Sequence, residues 1–414
     1  MSHSARFADY RAALSTPGAR TPVLTSLLAR MPIAMVSLSL LLYVQRETGS
    51  FAIAGFVSAG ALIGVAVGAV VQGRIMDRLG PTRPLLSTVG LFALATVTVI
   101  IAVETGQPSP VLVALGSLIG LTEPMVGSAS RALWTHLVPP GPIRHAAFAY
   151  EAISLEMFFI LGPALAGILV AAPWAGTGLA FGAACMVVGG VGFALTTAVR
   201  NVRPAKSHEV RKLLGALASP GMRTVGLAAL GFGITVGFVE VAVPAAATKA
   251  GHAPIGGMML ALWSLTSVAF GLFYAVRPWP RSMRLRLPVL LGLFALLVAP
   301  LAISSANLLG LALLLLVAGM WITPQSTTHS AAIEMVAPAG TATEAFGWVI
   351  TSVTLGLAAG QSISGYLVEH VGVWSSFLAG SACGLVVAFL VWLRRDTVGE
   401  QPAETPAPVL AVAR

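Results

Sequence analysis

Twelve stretches of roughly 20 apolar residues, each closed off by a few polar residues, Pro or Gly, run one after another through this chain of 414 residues. They fall at 22–44, 51–73, 84–104, 110–132, 147–171, 177–199, 222–246, 254–276, 287–304, 307–330, 343–369 and 372–393. A helix rising 1.5 Å per residue needs about 20 residues to cross a hydrocarbon core about 30 Å thick. With 57% of residues apolar and 9% charged, so much apolar surface cannot be hidden inside a water-soluble globule. The expected fold class is therefore an all-α membrane protein of twelve transmembrane helices, with the lipid bilayer as its solvent.

The net charge of +9 is explained by where the charges fall. With the N-terminus inside, Arg and Lys lie in the lead-in, the even-to-odd loops, the mid-chain segment and the tail, and Arg46 and Lys249 alone fall on the other side. That bias is the one that orients membrane proteins, so a plasma-membrane protein with both termini in the cytoplasm is expected, and no nucleic-acid partner. The polar residues before the first span read as a cytosolic lead-in and not as a removed signal. Cys185 and Cys383 each sit inside an apolar span with no neighbour at ligand spacing. No disulfide, metal site or cofactor is expected.

The longest polar interruption, 201–221, divides the spans six and six, and the halves align on one another. Pro124 falls on Pro324, Phe148 on Phe346, Gly162 on Gly360, Gly167 on Gly365 and Cys185 on Cys383. Six being even, both copies enter the membrane in the same sense, which makes two parallel six-helix repeats with a site between halves that rock about it. The expected organisation is a lead-in (1–21), a first half (22–200), a linker (201–221), a second half (222–394) and a disordered tail (395–414). Gly60, Gly64 and Gly68, and again Gly356 and Gly360, lie on single helix faces. Such ridges let backbones approach closely, as ordinary bundle packing or as a sliding surface between the halves.

After span 2 comes the stretch "GRIMDRLGPTR". Twelve spans, a parallel repeat and this loop together resemble the major facilitator superfamily, whose loop signature reads G-x-x-x-D-R-x-G followed by two basic residues. Gly73, Asp77, Arg78 and Gly80 match it, while Arg83 supplies one basic charge a residue late. In the copy after Gly271, Ala275 stands where the acid would be. The resemblance implies a cytoplasmic latch of Asp77 with Arg131, at the end of span 4, and with the N-terminus of span 11 at Thr341 or Thr343. The segment "GPALAG", with Gly162, Pro163 and Gly167, partly resembles the span 5 motif of drug and proton antiporters. Ala166 and Phe158 replace two of its glycines.

A charge at mid-membrane costs about 2.5–3.5 kcal/mol unless paired or wet, so Arg30, Glu123, Glu156 and Glu240 are functional candidates. Counted along their helices, Arg30, Glu123 and Glu156 share a depth. In the resembled family spans 1, 4, 7 and 10 line the cavity, which would set Arg30 opposite Glu123, with Glu123 standing where antiporters carry Arg. Two readings stay open: Glu123 or Glu156 carries a proton through the cycle, or Arg30 makes a fixed structural pair with one of them. Glu240 is read as interfacial or as a group at the cavity mouth, Glu151 is expected near the latch with Arg131 or Arg144, and Gln325 on the cavity with His329 and Thr323. Met31, Met35, Trp263, Met320, Trp321 and Trp348 suit a hydrophobic or amphiphilic ligand.

The expected function is secondary active transport: proton-coupled export of small hydrophobic or amphiphilic molecules by alternating access, by a monomer whose partners are its substrate and protons. The alternatives are a nutrient importer or facilitator of the same fold, and a membrane sensor that transports nothing. No nucleotide-binding loop or nucleophile and base spacing speaks for an enzyme, and no catalytic residue is assigned.

Overall fold

A computed structural model describes residues 7–139, 141–202, 215–276, 282–338 and 342–398. They form helices and turns, with no strand among the described residues. Among the described residues twelve helical segments are long and apolar enough to cross a membrane. A short α1 (Phe7–Ser15) precedes α2 (Arg20–Arg30) and α3 (Ile33–Thr48), which together make span 1. Next come α4 (Phe51–Leu79), α5 (Thr82–Glu104), the pair α6 (Ser109–Thr122) and α7 (Val126–Leu137), α8 (Pro142–Leu169), α9 (Thr177–Leu195) and a stub, α10 (Thr197–Arg200). The last six spans are α11 (Pro220–Lys249), α12 (Ala253–Val276), α13 (Met283–Val298), the pair α14 (Leu308–Gly319) and α15 (Ile322–Val336), α16 (Ala342–His370) and α17 (Val373–Leu393).

Three spans are broken near their middles, and the sequence says why. Span 1 stops at Arg30 because Pro32 has no N–H to donate and its ring clashes with the preceding turn. Span 4 stops at Thr122 because Glu123, preceding Pro124, is pushed out of helical backbone, to φ −54° and ψ 122°. Span 10 bends at Met320 and Trp321, just before Pro324. In lipid the freed backbone groups need partners. Gln72 of α4 supplies them for span 4: its Nε2 donates to Leu121 O (3.0 Å) and Glu123 O (2.9 Å), and its Oε1 accepts from Met125 N (3.2 Å). Ser267 of α12 does the same for span 10, its Oγ accepting from Thr323 N at 3.0 Å. Spans 2 and 8 occupy equivalent places in the two repeats, so each half mends its broken fourth helix from its second.

The glycine ridges serve packing within each half, not sliding between halves. A Cβ at Gly64 would lie 2.1 Å from Ser117 O of α6, and one at Gly360 would lie 2.3 Å from Ile234 O of α11. The halves meet through other glycines. Gly55 of α4 sits against Gln361 O and Gly365 of α16, where a Cβ would lie 2.6 Å from that oxygen. Gly167 of α8 and Gly257 of α12 pack with the same intimacy, a Cβ at Gly257 lying 2.3 Å from Pro163 O. Both seams lie toward the end remote from α1, called the far face below. Leu91, Leu94 and Ile101 of α5 are exposed along one stripe, as a lipid-facing helix requires. Arg395–Val398, expected to belong to the tail, forms a 3-10 turn with Val398 buried, held where the Thr397 hydroxyl meets that of Thr224 at 2.8 Å.

Candidate functional site

Between the halves lies a cavity of about 1750 Å³, walled by α3, α4 and α8 on one side and α11, α12 and α16 on the other. It reaches Arg74, Arg78 and Glu344, at the α1-face ends of α4 and α16, and ends at Ser58, Glu240 and Gln361 beneath the far-face seam. The chain is therefore caught open toward the α1 face and closed at the far face. Trp263, Trp348 and Phe159 contribute to a wall that is mostly apolar. Met31, Met35, Met320 and Trp321, expected beside them, are not part of that wall, and Met35 is fully buried.

Glu123 lines this cavity from the break in span 4. Only 8% of it is exposed, and no described residue offers its carboxylate a hydrogen bond or a cation. The backbone beside it is held by Gln72, so the carboxyl group sits on a fixed support.

Arg30 departs from expectation. It pairs with neither Glu123 nor Glu156 but with Glu151 of α8, both side chains being buried. Glu151 also accepts from Ser130 Oγ (2.7 Å) and Trp134 Nε1 (2.9 Å) of α7, and Arg30 NH2 donates to Glu151 O at 3.3 Å. The guanidinium lies 5.7 Å from the Phe158 ring centroid. Two features of local structure explain the difference. Span 1 breaks immediately after Arg30, so this side chain closes α2 in the wedge between α7 and α8. Helix α8 begins at Pro142, five residues earlier than read, which carries Glu151 well inside it. Nor does Glu151 meet Arg144, which caps the end of α7 through Val138 O (2.7 Å) and Thr135 O (3.1 Å).

Glu156 is exposed and has no partner among the described residues. It is not among the residues that line the cavity; three and seven residues before Phe159 and Pro163, which are, it falls on the same stripe of α8, one turn closer to the α1 face. Glu240 is not interfacial, because α11 runs unbroken through Pro244 to Lys249 and leaves Glu240 on the cavity wall. There it accepts from Gln361 Nε2 at 2.8 Å, and Gln361 Oε1 accepts from Ser58 Oγ at 2.6 Å. Gln325 is fully buried behind the cavity, with its Nε2 at 3.1 Å from His329 Nε2. The bend at Met320 and Trp321 turns that face of span 10 toward Phe232, whose ring centroid lies 5.9 Å from that of His329.

The loop motif is placed but its acid is not. Gly80 ends α4 with φ +78°, a left-handed conformation that glycine adopts without strain. Arg78 and Arg83 are exposed, nothing crowds Gly73, and Arg131 is exposed with its guanidinium 6.0 Å from the Phe148 ring centroid. The Asp77 side chain, Thr341 and the Thr343 side chain lie outside the described residues. In the span 5 motif Gly162 lies against Ala34 and Met35 of α3, whereas Pro163 O and Gly167 form the seam with α12. Sequence reasoning missed Gln72, Ser58 and Gln361, uncharged polar residues inside apolar runs. Their one available signal was an uncharged amide or, for Ser58, a hydroxyl within a span.

Comparison with known proteins agrees with this geometry. A family model described as Major Facilitator Superfamily matches residues 23–328. An uncharacterized MFS-type transporter, y4rN, of Sinorhizobium fredii (strain NBRC 101917 / NGR234) is 24% identical over 278 residues, 64% of this chain and 66% of that protein. Among solved structures, a peptide transporter POT in complex with sulfate superposes with a TM-score of 0.70 at 15% identity, covering 94% of this chain and 98% of that one. A nucleoside transporter, NupG, gives 0.70 at 12% identity over 91% and 99% of the two chains. The human organic anion transporter TETRAN gives 0.58 at 17% identity, again over 91% and 99%. At such identities these structures speak for the fold alone. Twelve spans in a six-plus-six arrangement, closed at one face around a central cavity, and a family model that matches residues 23–328, well over half of the chain, together show that the chain belongs to the major facilitator superfamily.

Proposed function

We propose that the chain exports small amphiphilic organic molecules in exchange for protons, by alternating access, from a plasma membrane in which both termini face the cytoplasm. The observation that carries this reading is the pair of carboxyl groups without partners among the described residues, Glu123 in the cavity wall and Glu156 on the approach to it. Unpaired carboxyl groups beside a path that opens to one face at a time can take a proton on one side and release it on the other. Arg30, the basic residue that could have neutralised Glu123, is committed to Glu151. The depth of the cavity is thus acidic and apolar, which favours cargo with an apolar body and a positive charge. On this orientation the observed conformation faces inward, and closing it brings Asp77 toward Arg131 and the start of α16 as a latch.

The test is transport of ethidium, a permanent cation whose charge does not follow pH, in proteoliposomes under imposed pH gradients. Accumulation driven by the gradient, and lost in Glu123→Gln or Glu156→Gln, is expected. Ethidium movement indifferent to the gradient supports a facilitator instead.

A further inference from the structure

The deep end of the cavity and the far-face seam share one side chain. We propose that Glu240 seats the cationic group of the cargo and that Gln361 relays its occupancy to Ser58, loosening the far-face seam when cargo arrives. The seat rests on the function proposed above, whereas the relay rests on geometry alone.

Gln361 belongs to α16 and is 3% exposed. One end of its amide holds Glu240 of α11, in its own half, and the other holds Ser58 of α4, across the seam. The orientation of the amide follows from chemistry. An ionised carboxylate only accepts, so it takes the Nε2 end, and the Oε1 end is left to accept from the Ser58 hydroxyl. Helices α11 and α16 are locked together by Gly233, Gly237, Gly356 and Gly360, where any Cβ would strike the facing backbone, so the bond between Glu240 and Gln361 moves as one piece with the second half. The bond between Gln361 and Ser58 cannot do so, since opening the far face separates α4 from α16 where Gly55 lies on Gln361 O.

A cation at Glu240 competes with Gln361 Nε2 for the same carboxylate. With that end released, the amide loses the support that aims its oxygen at Ser58. Cargo therefore binds more tightly once the seam is open, and by linkage it shifts the chain toward the far-open state. Among the described residues the other charged groups on the cavity are Glu123, of the same sign as Glu240, and Arg74, Arg78 and Glu344 at the mouth. Lys249, nine residues along α11 from Glu240, is bonded to Val368 O at 2.9 Å and does not compete for the site.

The experiment places spin labels at Gln107→Cys and Ala306→Cys, exposed positions on the far face in either half, with Cys185→Ser and Cys383→Ser, and reads the populations of short and long label distances. Without ligand, Ser58→Ala and Glu240→Leu should each raise the long-distance population by about tenfold relative to the short. Together they should raise it no further than the larger alone, and in a Gln361→Leu background neither should act. Effects that multiply, or that persist without Gln361, overturn the relay. Glu240→Gln keeps an acceptor for the amide but no charge, so it should leave the seam shut and weaken ethidium binding by about tenfold or more. Unchanged ethidium affinity in Glu240→Gln overturns the seat. No ethidium binding by the unsubstituted protein overturns the cationic-cargo reading, while the label distances still decide the relay.

Discussion

Glu151→Gln removes the counter-charge of a buried guanidinium while keeping the shape of the side chain. In the native fold Glu151 takes the Arg30 guanidinium, the Ser130 hydroxyl and the Trp134 indole N–H, and it is 4% exposed. A glutamine can still accept from one or two of these donors, but its NH2 must then point at another donor, and Arg30 remains charged and 7% exposed. Breaking a buried pair from one side costs about 3–5 kcal/mol, chiefly because of the charge left behind. Glu151→Gln should fall near the lower end of that range and Glu151→Leu, which accepts nothing, near the upper. Replacing both partners, Arg30→Met with Glu151→Leu, removes the uncompensated charge and should recover most of the loss. The assay is reversible unfolding in mixed micelles titrated with dodecyl sulfate, followed by tryptophan fluorescence. A Glu151→Gln variant as stable as the parent, or a double variant no better than Glu151→Leu, refutes the assignment of this pair as the internal brace of α2, α7 and α8.

Gln72→Leu leaves Leu121 O, Glu123 O and Met125 N without their side-chain partner at the break in span 4, and should cost about 1–3 kcal/mol in the same unfolding assay. Gly257→Val drives a Cβ into Pro163 O and should populate the far-open state, seen as longer label distances across the far face. Glu369 closes the rim of the seam: its carboxylate accepts from Ser50 Oγ (2.5 Å) and Ala52 N (2.9 Å) at the start of α4. Replacing it by Gln gives up the favourable charge at that helix N-terminus and should shift the equilibrium toward far-face opening by about 0.3–1 kcal/mol, read by the same labels.

What could be read from the sequence was what one helix decides for itself. Span length, the repeat and the placement of Glu123 inside an apolar run are local properties; the breaks at Pro32 and Pro124 are local too, yet the sequence reading ran spans 1 and 4 through them unbroken. What could not be read depends on rotation about a helix axis. Counting residues gave Arg30 and Glu123 a common depth, but depth does not say which way a side chain faces, and the break directly after Arg30 turned it from the cavity to Glu151. The same holds for Gln325, which the bend at Met320 and Trp321 turned into the packing against Phe232. Glu240 was hard to place for another reason: it lies toward the outer end of span 7, and only the depth reached by the cavity shows that it faces that cavity and not the interface. Gln361 and Gln72 carry no charge to advertise them, and their value lies in partners more than forty residues away.

The central claim, that cargo leaves in exchange for a proton carried by a carboxyl group without a fixed partner, is tested most directly by watching the proton. In proteoliposomes holding a pH-sensitive dye, ethidium added outside should enter through the protein and drive protons out, turning the lumen alkaline. Glu123→Gln or Glu156→Gln should abolish that change while the protein stays folded. Ethidium entering the unsubstituted protein with no change in lumenal pH, or alkalinisation undiminished in both variants, contradicts the account.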